Sequence, residues 1–248
     1  LYYGEGIEAD QNEGLKYLKL AADKEDLRSM TLYGTLTLTQ TENPEESIKY
    51  IKAAADKGLI HAMYIYGNCL ILGRGVTENS VEAAKYLKIA AENDHTDAMY
   101  LFGLMLNGGE GIEMNKEQAA YFFKKAADKG DANSSFEYGL LLYKGDINLA
   151  DKKEAVAYIK NAADNGNAKA MAFYGNLLIL GDGIPKNEEE AQIYLKKAED
   201  LGYKNEDSEK LKSFIELSQM MNFLNSDEKK PNFEAEGIRF SNKKEGVN

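Results

Sequence analysis

The side chains best suited to chemistry are few: the histidines His61 and His95, the single cysteine Cys69, and the carboxylate run Glu188-Glu189-Glu190. Two histidines can ligate a metal or move protons when their rings converge, and a cysteine becomes a nucleophile when a base activates it. Here the histidines stand at the starts of two different helical segments, a placement that reads as too far apart for a metal pair. Neither is placed to serve Cys69, which follows Gly67 by two on an apolar segment and reads as a small core residue. The three glutamates open a helix, where they favour its dipole. Gly-x-Gly recurs, but without a preceding strand or a Gly-Lys-Ser/Thr ending, so it makes a poor phosphate cradle. The expectation is a chain with no catalytic residue, no cofactor and no metal site.

Composition narrows the alternatives. The 248 residues carry 41 acidic against 30 basic side chains, a net charge of −11, and a field of that sign repels nucleic-acid backbones. No apolar run approaches the roughly 18 to 20 residues that would span a bilayer, and one cysteine closes no internal disulfide. A hydrophobic content of 44% is ample for a core. What stands out is 22 glycines beside three prolines in a chain rich in helix formers, because each glycine inside a helix costs about 1 kcal/mol.

The glycines are periodic. An aromatic residue precedes glycine at Tyr33-Gly34, Tyr66-Gly67, Phe102-Gly103, Tyr138-Gly139 and Tyr174-Gly175, at steps of 33, 36, 36 and 36 residues. Alanine pairs keep the step at Ala21-Ala22, Ala54-Ala55, Ala90-Ala91, Ala126-Ala127 and Ala162-Ala163. Gly-x-Gly joins the register at Gly4/Gly6, Gly73/Gly75, Gly109/Gly111 and Gly181/Gly183, with Gly145 keeping one glycine of the pair. A fixed period in this range is the mark of a solenoid, whose units bury their apolar faces only against their neighbours.

Within a unit the pattern is helical twice over. Residues 80–91 return apolar side chains every three or four positions, and residues 61–72 are apolar almost all round before stopping at Gly73-Arg74-Gly75. Asn43-Pro44-Glu45-Glu46 supplies an N-cap, a first-turn proline and early acidic charge for the equivalent second helix. Strand alternation is absent, and the short connections imply antiparallel helix pairs. The glycine after each aromatic and the alanine pair then allow close helix approach, while Gly-x-Gly ends the first helix at positive φ.

These residues resemble the Sel-one-like repeats, a branch of the tetratricopeptide-like α/α repeats, whose units run A-x-x-x-[LYF]-G, G-x-G-[VI] and E-x-A-x-x-[YF]-x-x-x-A-A-x-x-G. Ala62 through Asn93 follow that order closely. The resemblance implies an all-α, right-handed α/α superhelix over residues 1–203, a partial first unit followed by five helix pairs. Residues 204–225 read as a C-terminal capping helix and 226–248 as a polar, disordered tail. Leu1–Gly6 aligns with Leu70–Gly75, so a longer chain with its first helix upstream is expected; a cytoplasmic location is favoured and the endoplasmic reticulum stays open. The turn Thr39–Asn43 is three residues shorter than its counterparts and lacks glycine, which should alter the local twist.

The resemblance also implies a binding surface. In the tetratricopeptide arrangement first helices line the concave face, at positions six and three before the central glycine and one and four after it. Carried onto this sequence, that selects Tyr64, Tyr100, Phe136 and Tyr143 as an aromatic strip, Leu104 beside it, and Asn68, Asn107 and Asn176 as groups able to hydrogen-bond an extended peptide. The expected function is a scaffold or adaptor holding a protein or peptide partner, basic in character given the acidity of the array, with no nucleic acid and no membrane span. The alternative is a regulatory array joined to a catalytic domain, such as a kinase, outside these residues. Members of the resembled family hold partners in this way in the ubiquitin-ligase complex of the endoplasmic reticulum and in signalling assemblies.

Overall fold

The computed structural model describes residues 10–40, 44–147 and 151–225. Asn43, the rest of the short turn at 41–43, the opening residues 1–9 and the polar tail 226–248 lie outside the described residues. Among those described, every regular element is an α-helix: α1 (Gln11–Ala22), α2 (Leu27–Leu38), α3 (Pro44–Asp56), α4 (Ile60–Leu72), α5 (Ser80–Glu92), α6 (Thr96–Gly108), α7 (Lys116–Ala127), α8 (Ala132–Lys144), α9 (Lys152–Asp164), α10 (Ala168–Leu180), α11 (Glu188–Asp200) and α12 (Asn205–Asn225). The chain is an all-α solenoid. From α2 to α11 the helices form five pairs, and each helix packs chiefly on the ones before and after it in sequence.

Helix boundaries follow local chemistry. Asp26, Asn79, Asn115, Asp131, Asn167 and Asn187 each accept a hydrogen bond from the backbone N–H three residues on, satisfying a donor that the first helical turn leaves free. At the other end α4, α6, α8 and α10 stop at Gly73, Gly109, Gly145 and Gly181, all left-handed.

Pairing depends on the glycine after each aromatic. A Cβ on Gly67 would stand 2.7 Å from Leu87 Cγ, on Gly103 2.6 Å from Phe123 Cε1, and on Gly139 2.8 Å from Ile159 Cγ1. Gly34 against Ile51 and Gly175 against Leu195 repeat the approach. The second helix therefore seats one large side chain directly on the backbone of the first. Ala54, Ala55, Ala90, Ala91, Ala162 and Ala163 are fully buried on the second helices, where larger side chains would hold the layers apart.

Successive second helices are tied by a recurring cluster. Tyr86 Oη donates to Asp56 Oδ1 at 2.5 Å, and Lys52 bonds that aspartate at 2.7 Å while its ammonium lies 5.5 Å from the Tyr66 ring. Tyr194, Asp164 and Lys160 repeat the arrangement, with Tyr174 as the ring beneath the ammonium. Phe102 and Phe122 keep the edge-to-face aromatic pair in the middle unit but carry no hydroxyl for such a bond.

α12 departs from the stack. An ordinary next helix would pack on α11, as α10 packs on α9; α12 instead lies against α10. Phe214 meets Phe173 of α10 at 6.4 Å between ring centroids, and Ile215 is fully buried.

Two substitutions test the role of close approach. Gly103→Leu, driven into the buried Phe123 ring, should cost about 1–3 kcal/mol or more through overpacking. Gly111→Ala adds a Cβ within 2.3 Å of the Ser80 carbonyl carbon at φ +69°, so a left-handed penalty of about 1–2 kcal/mol joins the clash. Chemical denaturation followed by circular dichroism checks both, and wild-type midpoints would remove this account of the glycines.

Candidate functional site

The first helices α2, α4, α6, α8 and α10 form one layer, in which α4 touches α6 directly, and it is the layer that the resemblance sets on the inside; its two halves differ. Over α2, α4 and α6 the surface is open. Tyr64, Asn68, Tyr100, Leu104 and Asn107 are half-buried, each with part of its side chain in solvent. The side chains of Asn68 and Asn107 have no hydrogen-bond partner among the described residues. Between α2 and α4 a cavity of about 410 Å³ is lined by Arg28, Thr31, Leu32, Thr35, Leu59, His61 and Ile65.

Over α8 and α10 the surface is closed, and three residues expected in the groove are core residues instead. Phe136 is 1% exposed and packs edge-on to Phe173 at 5.9 Å, with the Lys169 ammonium 5.4 Å from its ring centroid. Tyr143 is buried, meets the same Phe173 ring at 5.3 Å, and donates its hydroxyl to Asp182, which Lys152 also holds at 2.6 Å. Asn176 is buried and donates to the Ala172 carbonyl at 2.9 Å within its own helix. The expected strip from Tyr64 to Tyr143 is thus divided: Phe136 and Tyr143 share Phe173 as a buried hub, while Tyr64 stacks on His95 at 4.6 Å and Tyr100 tilts against Phe123 at 6.3 Å. Burial raises the hydroxyl pKa of Tyr64 and Tyr100, with Asp97 adding to the first and Glu137 and Asp131 to the second, so both stay neutral hydrogen-bonding groups.

The column two before the central glycine adjoins this surface although the expected groove positions omit it: Leu32, Ile65, Leu101, Glu137 and Phe173. Leu32 is 38% exposed and, with Ile65, walls the cavity, whereas Phe173 at the far end is covered by Phe214. The available signal was its apolar content, four of five members, on a helix already apolar all round.

The histidines require a correction. His61 and His95 are not apart: His61 Nδ1 lies 3.1 Å from His95 Nε2, with rings stacked at 5.4 Å. His95 is the N-cap of α6, its Nδ1 accepting the Ala98 N–H at 3.3 Å. That acceptor role places the His95 proton on Nε2, which then donates to His61 Nδ1. The same relation recurs two units on, where the N-cap Asn167 donates to Asn133 Oδ1 at 2.9 Å. Both pairs are 34 residues apart, the distance between the N-cap of one first helix and the position two residues inside the preceding one. Cys69 is buried, and burial pushes its thiol pKa up to about 11, far from a reactive thiolate. Among the described residues no three or more His, Cys, Asp or Glu side chains gather in a way that could hold a metal ion.

A family model of the Sel1 repeat matches six consecutive stretches, residues 1–26, 29–59, 60–95, 96–131, 132–167 and 168–203. No curated protein matches the chain. Among solved structures, a Sel1 repeat protein from Oxalobacter formigenes is 25% identical with a TM-score of 0.69, the match covering 76% of this chain and 82% of that one. A protective antigen present in uropathogenic Escherichia coli strains, displaying an SLR fold, is 22% identical with a TM-score of 0.73 over 81% of this chain and 44% of its own. An immunity protein from Pseudomonas aeruginosa shares the fold at 15% identity and a TM-score of 0.50, over 79% and 75% of the two chains.

The histidine stack should respond to acid. Burial lowers the pKa of His95, opposed by Asp97 and reinforced by His61. The folded chain therefore favours the neutral ring, and the stability it lends, present above the ordinary value of about 6.5, is lost as pH falls through the lowered one. From about pH 7.5 to about pH 5, wild type should lose more stability than His61→Asn/His95→Asn, which reproduces the Asn133–Asn167 pair; equal losses in urea melts would show that His95 does not titrate with folding. By contrast Phe136→Ala should cost about 3–5 kcal/mol of stability, measured in the same melts.

Proposed function

This chain belongs to the Sel1 repeat family, whose repeats generally mediate protein–protein interactions, and we propose that it is a scaffold or adaptor that holds a partner protein on the open inner surface of α2, α4 and α6. The fold is typically a non-catalytic scaffold, and the burial of Cys69 agrees with that. The observation that carries the reading is the character of this surface. Apolar and aromatic side chains, Leu32, Ile65, Tyr64, Tyr100 and Leu104, stand partly in solvent beside Asn68 and Asn107, whose amides have no partner among the described residues.

That combination suits protein recognition physically. Aromatic rings with neutral hydroxyls bury large areas at low entropic cost, and amide side chains satisfy backbone groups that a partner would otherwise desolvate without compensation. Clustered exposed apolar side chains in a concavity are the usual mark of an interaction surface. Charge contributes less locally. Arg28 lines the cavity and Asp97 acts on Tyr64 and His95, so the groove itself is mixed in sign, and the net −11 of the chain acts as a long-range bias toward basic partners.

The experiment is affinity purification from cells with the wild-type chain and with Tyr64→Ala/Tyr100→Ala, partners being identified by mass spectrometry and titrated by calorimetry. The double variant should keep its helicity and lose about 2–4 kcal/mol of binding, as hot-spot aromatics do. A folded double variant with wild-type affinity for the recovered partner would refute the inner surface as the binding face.

A further inference from the structure

We propose that α12 is a built-in occupant of the inner surface, and that this surface accepts an amphipathic helix presenting aliphatic, aromatic and aliphatic side chains at spacing i, i+3, i+4. The inference rests on the inner-surface reading above and adds the kind of partner it takes.

The first observation is position. A helix that only closed a solenoid would stack on the last second helix, α11; α12 lies instead along the first helix α10. Phe214 fixes the crossing, because its ring faces Phe173 of α10 while the Lys144 ammonium of α8 stands 5.5 Å from its centroid. α12 thus reaches two first helices, as a ligand lying across the groove would.

The second is the contact face. Leu211 and Phe214 are half-buried and Ile215 is fully buried, so one stripe of α12 meets the array. Leu217 and Met220 are 54% and 53% exposed, so a second group of apolar side chains is left in solvent.

The third is the column itself. It ends at Phe173 under α12 and begins with Leu32, Ile65 and Leu101, apolar and partly exposed on the open half, with the half-buried Glu137 between the two stretches. An incoming helix with an equivalent stripe would meet the aliphatic Leu32, Ile65 and Leu101 on the open half, where Phe214 meets the Phe173 ring on the closed one, and extending its contact toward α10 requires displacing α12. Groove recognition of this kind is read through anchors at i, i+3 and i+4.

The test uses the full chain and a labelled synthetic peptide of residues 205–225. Fluorescence anisotropy should show saturable binding to Phe214→Asp/Ile215→Asp, whose own α12 is released, at least tenfold tighter than to wild type, and none by a peptide carrying Phe214→Asp. Equal binding to both chains, or to neither, overturns the proposal. If the double substitution melts the array, Phe214→Ala is titrated in its place and judged by the same criterion. Peptide failure together with partner loss in Tyr64→Ala/Tyr100→Ala would reject the helix-acceptor inference alone; peptide binding without that loss would reject the assignment of the partner to the open half.

Discussion

Everything in this array depends on how closely a second helix approaches the first. The distance is set where Leu87, Phe123 or Ile159 rests on the bare backbone of Gly67, Gly103 or Gly139. Those three side chains are fully buried, so the contact is also the centre of each unit's core. Glycine inside a helix is unfavourable by about 1 kcal/mol relative to alanine, a cost that dispersion contacts between closely packed helices offset. Because the distance is nearly the same in unit after unit, the inner layer is regular, and its side chains fall into columns.

Regularity is enforced a second time on the outer layer. The Tyr86–Asp56–Lys52 cluster and its copy at Tyr194–Asp164–Lys160 join neighbouring second helices through side chains that remain near solvent. Partly exposed hydrogen bonds and ion pairs of this kind contribute modestly each, so they fix register more than they add stability. The outer clusters align the units, and the buried glycine contacts hold each one together.

Much of this was legible in the sequence because it is periodic. Aromatic-glycine, alanine-pair and Gly-x-Gly steps locate the helices, and the asparagines and aspartates ahead of them locate the starts. The site was half legible, for two physical reasons. His61 and His95 looked remote because they lie in different units, yet a solenoid brings the start of one first helix beside the start of the next; a spacing of 34 residues, two short of the period, is the signature, and Asn133 with Asn167 shares it. Phe136, Tyr143 and Asn176 occupy groove columns by register, but burial on this inner surface depends on what lies over and around it. Phe173 in the adjoining column draws Phe136 and Tyr143 inward, and α12 closes over that hub. No repeat pattern encodes the path of a segment that follows the repeats.

The path of α12 also has a temporal side. The paired helices pack mainly on their sequence neighbours, so each junction closes a short loop and can form as soon as its residues are available. The contact of α12 with α10 skips α11, and α12 is synthesised after both. The inner surface is therefore complete before its own last helix arrives to cover part of it. A partner held there as proposed would meet the whole surface during synthesis and only its uncovered part later, so order of encounter, as well as affinity, would govern its capture.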